Sequence, residues 1–319
     1  VIVGYGSYFM FLGVYSGIDD PKLYTYQNVN GRKHISLPDV DNVRIDITDG
    51  ESNAPMYWRI PTIQAFHSIV PGSITEFYTE LGITRDESSK PDLSHAALRP
   101  FLSVKYLFDG KNSDNLDVYG FKKIDVQNKY GIWKDENYIP FGFTYDKYIS
   151  RSNWEKLDNY TREALLLKAI VLEDKDVAKY SGMLKKFDLD GTIDTSSDAV
   201  AKDSAARRTY SAADFSRDNR GFDADIDLDA DNLVFFSVPY EAGWSATVNG
   251  RKADVVKTNI GFMAVRCGKG YNKIRFNYMT PGLHAGLLIG AASAALLLLY
   301  LFASPKLLRG RISAPKQPR

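Results

Sequence analysis

LVFFSVPY (Leu233–Tyr240) is an almost unbroken apolar run of eight residues, the pattern of a strand buried more fully than its neighbours. Just before it, Phe222, Ala224, Ile226 and Leu228 alternate with Asp223, Asp225, Asp227 and Asp229, which marks a half-buried strand. Just after it, WSATVNGRKADVVK (Trp244–Lys257) carries Asn249-Gly250 at its centre, the strongest short hairpin signal. GFMAVRC (Gly261–Cys267), Gly268-Lys269-Gly270 and NKIRFNY (Asn272–Tyr278) read as a second hairpin. Short strands at this spacing predict an antiparallel β-sandwich over residues 206–282.

The sandwich runs into LHAGLLIGAASAALLLLYLFA (Leu283–Ala303), with no charged residue between Asn277 and Pro305. As a helix this segment is long enough to cross about 30 Å of hydrocarbon. Lys306, Arg309, Arg311, Lys316 and Arg319 follow with no acid among them, so residues 304–319 are expected to be a cytoplasmic tail and the body to lie outside the membrane. The start, VIVGYGSYFMFLGVY (residues 1–15), is uncharged and aromatic. It lacks the basic region and cleavage site of a secretory signal and reads as the end of a membrane helix that begins upstream. The chain is thus expected to be the C-terminal portion of a multi-span protein.

Residues 16–205 read as mixed α/β. Val43, Ile45 and Ile47 alternate with polar residues in a strand within His34–Thr48. Pro71-Gly72-Ser73 opens a short helix, with Ser73 and Glu76 as a capping box and Gly82 as its stop. A helix near Ser94–Leu102, a strand at Ser103–Asp109 and a loop at Gly110–Asp117 follow, then strands near Phe121–Val126 and Tyr138–Phe143. Leu157, Tyr160, Ala164, Leu167 and Val171 recur at helical spacing, so Trp154–Leu172 reads as the longest soluble helix and Glu173–Asp203 as a linker.

The 40 basic and 39 acidic residues give a net charge of +1, and without the basic tail the remainder is mildly acidic. That offers no clustered basic face for nucleic acid. One cysteine, Cys267, excludes an intramolecular disulfide and any cysteine-rich metal site. An outside domain without disulfides suits a bacterial protein.

No catalytic constellation emerges. Asp188-Leu189-Asp190-Gly191-Thr192 has the form of a phosphatase nucleophile loop, but Lys185 and Lys186 stand where a buried strand should lead into it; a solvated turn accounts for it. Asp223, Asp225 and Asp227 share one strand face about 7 Å apart, suited to a divalent cation or to a charged solvent face that protects an edge strand. Trp58, Arg59 and His67 lie in an aromatic stretch, YWRIPTIQAFHSIVPGS, and are candidates for a sugar or phosphate pocket. Tyr240 and Trp244 are candidates for stacking on a glycan. The four histidines show no zinc spacing, and no cofactor is evident.

The stretch from Leu233 through Gly282, followed by a single apolar helix, resembles the end of the bacterial YfhO-type membrane proteins. ESNAPMYWRIPTIQAFHSIVPGSITEFYTELGI, LRPFLSVKYLFD, ENYIPFGFTYD and GFDADIDLDADNLVFFSVPY resemble the same family's outer domain. The resemblance implies a polytopic GT-C-like glycosyltransferase that takes a sugar from a polyprenyl-phosphate donor and places it on a cell-surface polymer at the bacterial membrane. It also implies that the catalytic carboxylate lies in an earlier loop, so no catalytic residue is assigned here and the fragment alone is expected to be inactive. The competing reading is a non-enzymatic, membrane-anchored module that binds glycan or protein.

Overall fold

The computed structural model describes residues 6–8, 20–64, 66, 69–84 and 90–310. By its contacts the chain forms two units, Val1–Asn277 and Tyr278–Arg319. The first is α+β with three sheets. The second holds a helix at Leu283–Gly310, in which Leu283–Phe302 is long and apolar enough to cross a membrane. The expected helix end at residues 1–15 falls almost entirely outside the described residues, as does most of the basic tail.

The first sheet takes β1 (Arg44–Thr48), β2 (Val104–Asp109), β3 (Phe121–Gln127) and β4 (Tyr130–Asp135) in the order β1-β2-β4-β3. β1 and β2 are parallel, so the chain between them must cross over, and it carries helices at Ala54–Trp58, Gly72–Glu80 and Leu98–Phe101. β3 and β4 form a hairpin whose turn residues, Asn128 and Lys129, both take positive φ, the geometry that matches strand twist. Ile45, Ile47, Trp58, Tyr106, Phe108, Tyr130 and Ile132 build its core.

Next come β5 (Phe143–Thr144), β6 (Lys147–Ser150), β7 (Ile170–Leu172), β8 (Lys185–Lys186), β9 (Asp214–Arg217), β10 (Gly221–Leu228), β11 (Asn232–Pro239), β12 (Trp244–Val248), β13 (Arg251–Ala253), β14 (Val255–Thr258), β15 (Phe262–Cys267) and β16 (Gly270–Tyr278). They divide into a seven-stranded sheet, β5-β11-β15-β14-β7-β6-β8, and a five-stranded sheet, β13-β12-β16-β10-β9. Val234, Phe236, Met263, Val265 and Cys267 pack with Phe222, Ile226, Ile274 and Phe276 of the five-stranded sheet. Leu233, Phe235, Phe262 and Ala264 face the opposite way and pack with Phe77, Leu98, Phe101, Trp154 and Leu165. Both faces of β11 and β15 are therefore buried, which is why Leu233–Tyr240 has no alternation.

The structure corrects several local expectations. Gly261–Tyr278 is not a hairpin: β15 pairs with β11 and β14, whereas β16 pairs with β10 in the other sheet. Gly268–Gly270 is the corner between them, held by the Asn272 amide, which donates to the carbonyls of Gly268 and Gly270 at 2.7 Å each. Trp154–Leu172 breaks into helices Arg151–Trp154 and Asn159–Leu165 and strand β7. Asp158 restarts the helix by accepting from the Thr161 N–H, and Ile170–Leu172 leave the helical period because they join a sheet. Glu173–Asp203 is not merely a linker, since it holds the Asp174–Tyr180 helix and opens the 13-residue Ser197–Thr209 helix, which buries Val200. The strand expected at Tyr138–Phe143 shrinks to β5, and β4 is the longer strand. The Gly72–Glu80 helix has no side-chain cap. Glu76 turns instead to Arg151 at 3.2 Å and Lys257 at 2.7 Å.

One buried ion pair ties the crossover to the first sheet. Arg99 and Asp46 are both shielded from solvent, and the guanidinium donates to Asp46 Oδ2 through Nε and Nη2. It also donates to the carbonyls of Pro91 and Asp92. Replacing Arg99→Met should leave the buried Asp46 carboxylate with only the more distant Lys90, 3.8 Å away, as counter-charge and cost about 3 kcal/mol, measured as a lower denaturant midpoint of the chain in detergent. Asp135 is a different case. Burial pushes its carboxyl up from 3.8 to about 7, and its Oδ2 has no partner. The folded state then holds a proton that the unfolded chain releases near pH 4, so stability falls as pH rises from about 4 to 7 and the cost is complete above that. Asp135→Asn should raise the melting temperature by about 4 °C or more at pH 8 and change it little at pH 4.

Candidate functional site

The residues singled out in the sequence do not assemble. Trp58 closes the Ala54–Trp58 helix and is fully buried, its indole N–H donating to the Gln27 carbonyl at 2.8 Å. Its ring sits against Phe108 and Tyr130, with centroids at 5.6 and 5.7 Å. It is a core residue and is closed to a glycan. Arg59 follows it in the left-handed region, exposed, with its carbonyl accepting from Arg217. His67 lies outside the described residues. Trp244 packs edge-on against Phe222 and Phe276, and its indole donates to the Pro239 carbonyl. Tyr240, like Trp244, is half-buried at the margin of the sandwich core, away from the cluster that holds Trp58.

The alternating aspartates have a structural explanation. β10 is flanked by β16 and β9, so it is not an edge strand. Asp223 lies opposite Arg275 and Asp225 opposite Lys273, and Arg275 donates to Asp223 at 2.7 Å and to Asp218 at 2.9 Å. Opposite charges across neighbouring strands stabilise the sheet. Among the described residues no three His, Cys, Asp or Glu side chains are grouped to hold a metal ion. Asp188 and Asp190 lie on an exposed turn, with Asp188 Oδ1 accepting from the Asp190 N–H.

A polar cleft of about 560 Å³ opens elsewhere, between the loop at 92–97, the Asn159–Leu165 helix and the start of the Ser197–Thr209 helix. That size is typical of small-ligand sites. His95 and Glu163 meet in its wall. His95 Nδ1 donates to Glu163 Oε2 at 2.7 Å, and Glu163 Oε1 accepts from the Ala97 N–H at 3.2 Å. With Nδ1 taken up by Glu163, Nε2 is left to a ligand hydroxyl, as acceptor in the neutral ring and donor in the protonated one. Tyr160, 83% exposed, presents its ring at the cleft, with Asn159, Ser94, Thr195 and Ser197 as further hydrogen-bonding groups.

Several local contacts hold this arrangement. Arg162 donates to the carbonyls of Glu80, Trp154 and Glu155, fixing the Tyr160 helix against the Gly72–Glu80 helix. Gly82 stands at φ +70° where a Cβ would lie 2.2 Å from the Asn159 amide, so only glycine both makes the turn and leaves Asn159 its place. Asp92 accepts from the Ser94 N–H, which fixes the loop before His95 and holds that carboxyl below its ordinary range. None of these residues reads as a site residue in the sequence, where Gly82 marks a helix stop and Tyr160 a helical position. His95 is one of four scattered histidines, and its partner stands 68 residues away. Tyr160 reads in the sequence only as one position in the helical spacing of Trp154–Leu172.

Comparison with known proteins finds relatives of the sequence. A 166-residue stretch is 28% identical to the uncharacterized protein YfhO of Bacillus subtilis strain 168, covering 50% of this chain and 19% of that protein. The chain thus matches only a small part of its relative's length. No solved structure matches it significantly. The sequence model of the family described as bacterial membrane protein YfhO matches residues 23–204 and 192–290. With most of its length matched in this way, the chain belongs to the YfhO family of bacterial membrane proteins.

Proposed function

We propose that this chain is the extracytoplasmic, C-terminal part of a multi-pass glycosyltransferase of the bacterial cell envelope, and that its polar cleft holds the acceptor glycan. The reaction moves a sugar from a polyprenyl-phosphate donor to a cell-surface polymer. The His95–Glu163 cleft with Tyr160 at its mouth is the observation that carries the role of this part. A sugar offers hydroxyls that need fixed acceptors and donors, and an apolar ring face that rests well on an amphipathic aromatic. Family membership and the Leu283–Phe302 segment support a membrane setting. The basic residues beyond that segment favour a cytoplasmic C-terminus.

The orientation is tested with two epitope tags. One in the Gly110–Asp117 loop should be digested by protease added to intact cells, and one fused after Arg319 should survive until the membrane is opened. Digestion of the C-terminal tag on intact cells overturns the topology. The cleft is tested by saturation-transfer NMR on the chain in detergent, with cellobiose and chitobiose as probes. His95→Ala and Tyr160→Ala should each weaken binding by about tenfold. Binding that persists unchanged in both variants removes the cleft from the glycan-binding role.

A further inference from the structure

A second cavity, of about 190 Å³, contains a charge without a counter-charge. Arg44 lines it from β1 together with Thr62, Gln64, Ile74, Ser237 and Phe262. The inward arginines elsewhere in the fold have carboxylate partners: Arg99 has Asp46, Arg207 has Asp146, and Arg151 has Glu76 and Glu80. Among the described residues no carboxylate pairs with Arg44. Its Nη1 donates to the Leu102 carbonyl and to Ser237 Oγ, both at 2.8 Å. The guanidinium also lies 4.8 Å from the centre of the Phe141 ring. These contacts orient the fork without neutralising it; the side chain is half-buried, and the water it loses pulls the group down to about 10. Even a partly desolvated charge is costly when it stands unpaired.

Gln64 in the same cavity is unsatisfied in the opposite sense. It is buried, its Nε2 donates to Ser52 Oγ at 3.0 Å, and among the described residues its Oε1 accepts no hydrogen bond. The cavity therefore presents a cationic fork and a free acceptor between the apolar walls of Ile63, Val70, Ile74 and Phe262. A fully ionised anion satisfies the first and repels the second. An oxyanion that also carries an O–H satisfies both, because arginine matches the oxyanion geometry and the amide oxygen takes the proton.

We propose that the cavity around Arg44 and Gln64 is a binding site for a small oxyanion bearing a hydroxyl, such as phosphate in its hydrogen-bearing forms or a 2-hydroxycarboxylate. The site is separate from the His95–Glu163 cleft and stands whether or not that cleft takes glycan. Its volume is below that of most whole-ligand pockets, so it suits a compact anion or the anionic end of something larger.

The test is calorimetric titration of the full chain in detergent at pH 7, with two matched pairs of probes. Inorganic phosphate should bind more tightly than sulfate, which has no proton to give, and lactate more tightly than propionate. Arg44→Gln should weaken phosphate or lactate binding at least tenfold. Gln64→Leu, which leaves the β1 arginine in place and guards against a folding failure of the first variant, should erase the preference within each pair while preserving anion binding. Preference within the phosphate pair alone or the lactate pair alone identifies which oxyanion the site takes. No heat with any probe, equal binding within both pairs, or binding that persists in Arg44→Gln overturns the assignment.

Discussion

The fold depends on β11 and β15 being buried from both sides. A strand with one wet face can alternate, but these two must supply apolar atoms at nearly every position, because one face closes the sandwich and the other carries the helical layer. Phe235 and Phe262 sit among Phe77 and Phe101 on one side, while Phe236 meets Phe222 and Phe276 on the other. Edge-to-face and offset contacts among these rings add to area burial. The two cores share a wall, so a change at Phe235 or Phe236 bears on both the sandwich and the helices that shape the clefts.

Much of this was legible in residue order. The aspartate alternation of β10, the Asn249-Gly250 turn and the unbroken run of β11 report backbone geometry and burial locally, and all three elements appear as read. Sheet membership is where local reading stops. Gly268–Gly270 has the composition of a tight hairpin turn, yet the same residues make a corner between sheets, because β16 lies between β12 and β10, the latter some 50 residues upstream, and not beside β15. Helical spacing misled in Trp154–Leu172 for a related reason. Apolar residues required by two elements in succession produce the i, i+3, i+4 pattern by superposition, and only the Asp158 cap betrays the break.

The sites were less legible than the fold. Trp58 stands out beside Arg59 in an aromatic stretch and Trp244 as a large aromatic close to Tyr240, but each indole N–H is spent on a backbone carbonyl, the first inside a core and the second at the margin of one. Arg44 and Gln64 carry no signal in sequence, since what distinguishes them is that, among the described residues, no carboxylate meets the first and no donor meets Oε1 of the second. His95 and Glu163 stand 68 residues apart in the chain, and the loop that carries His95 is pinned by Arg99 through the Pro91 and Asp92 carbonyls.

Cys267 points inward from β15, and burial lifts its thiol to about 12. A thiol that does not ionise at neutral pH is inert to alkylating and disulfide-forming reagents. As the chain has no other cysteine, it is by nature a silent background for spectroscopic labelling. A single cysteine introduced on any exposed loop would carry a fluorophore or spin label alone, and its accessibility would report membrane sidedness without rebuilding the interior.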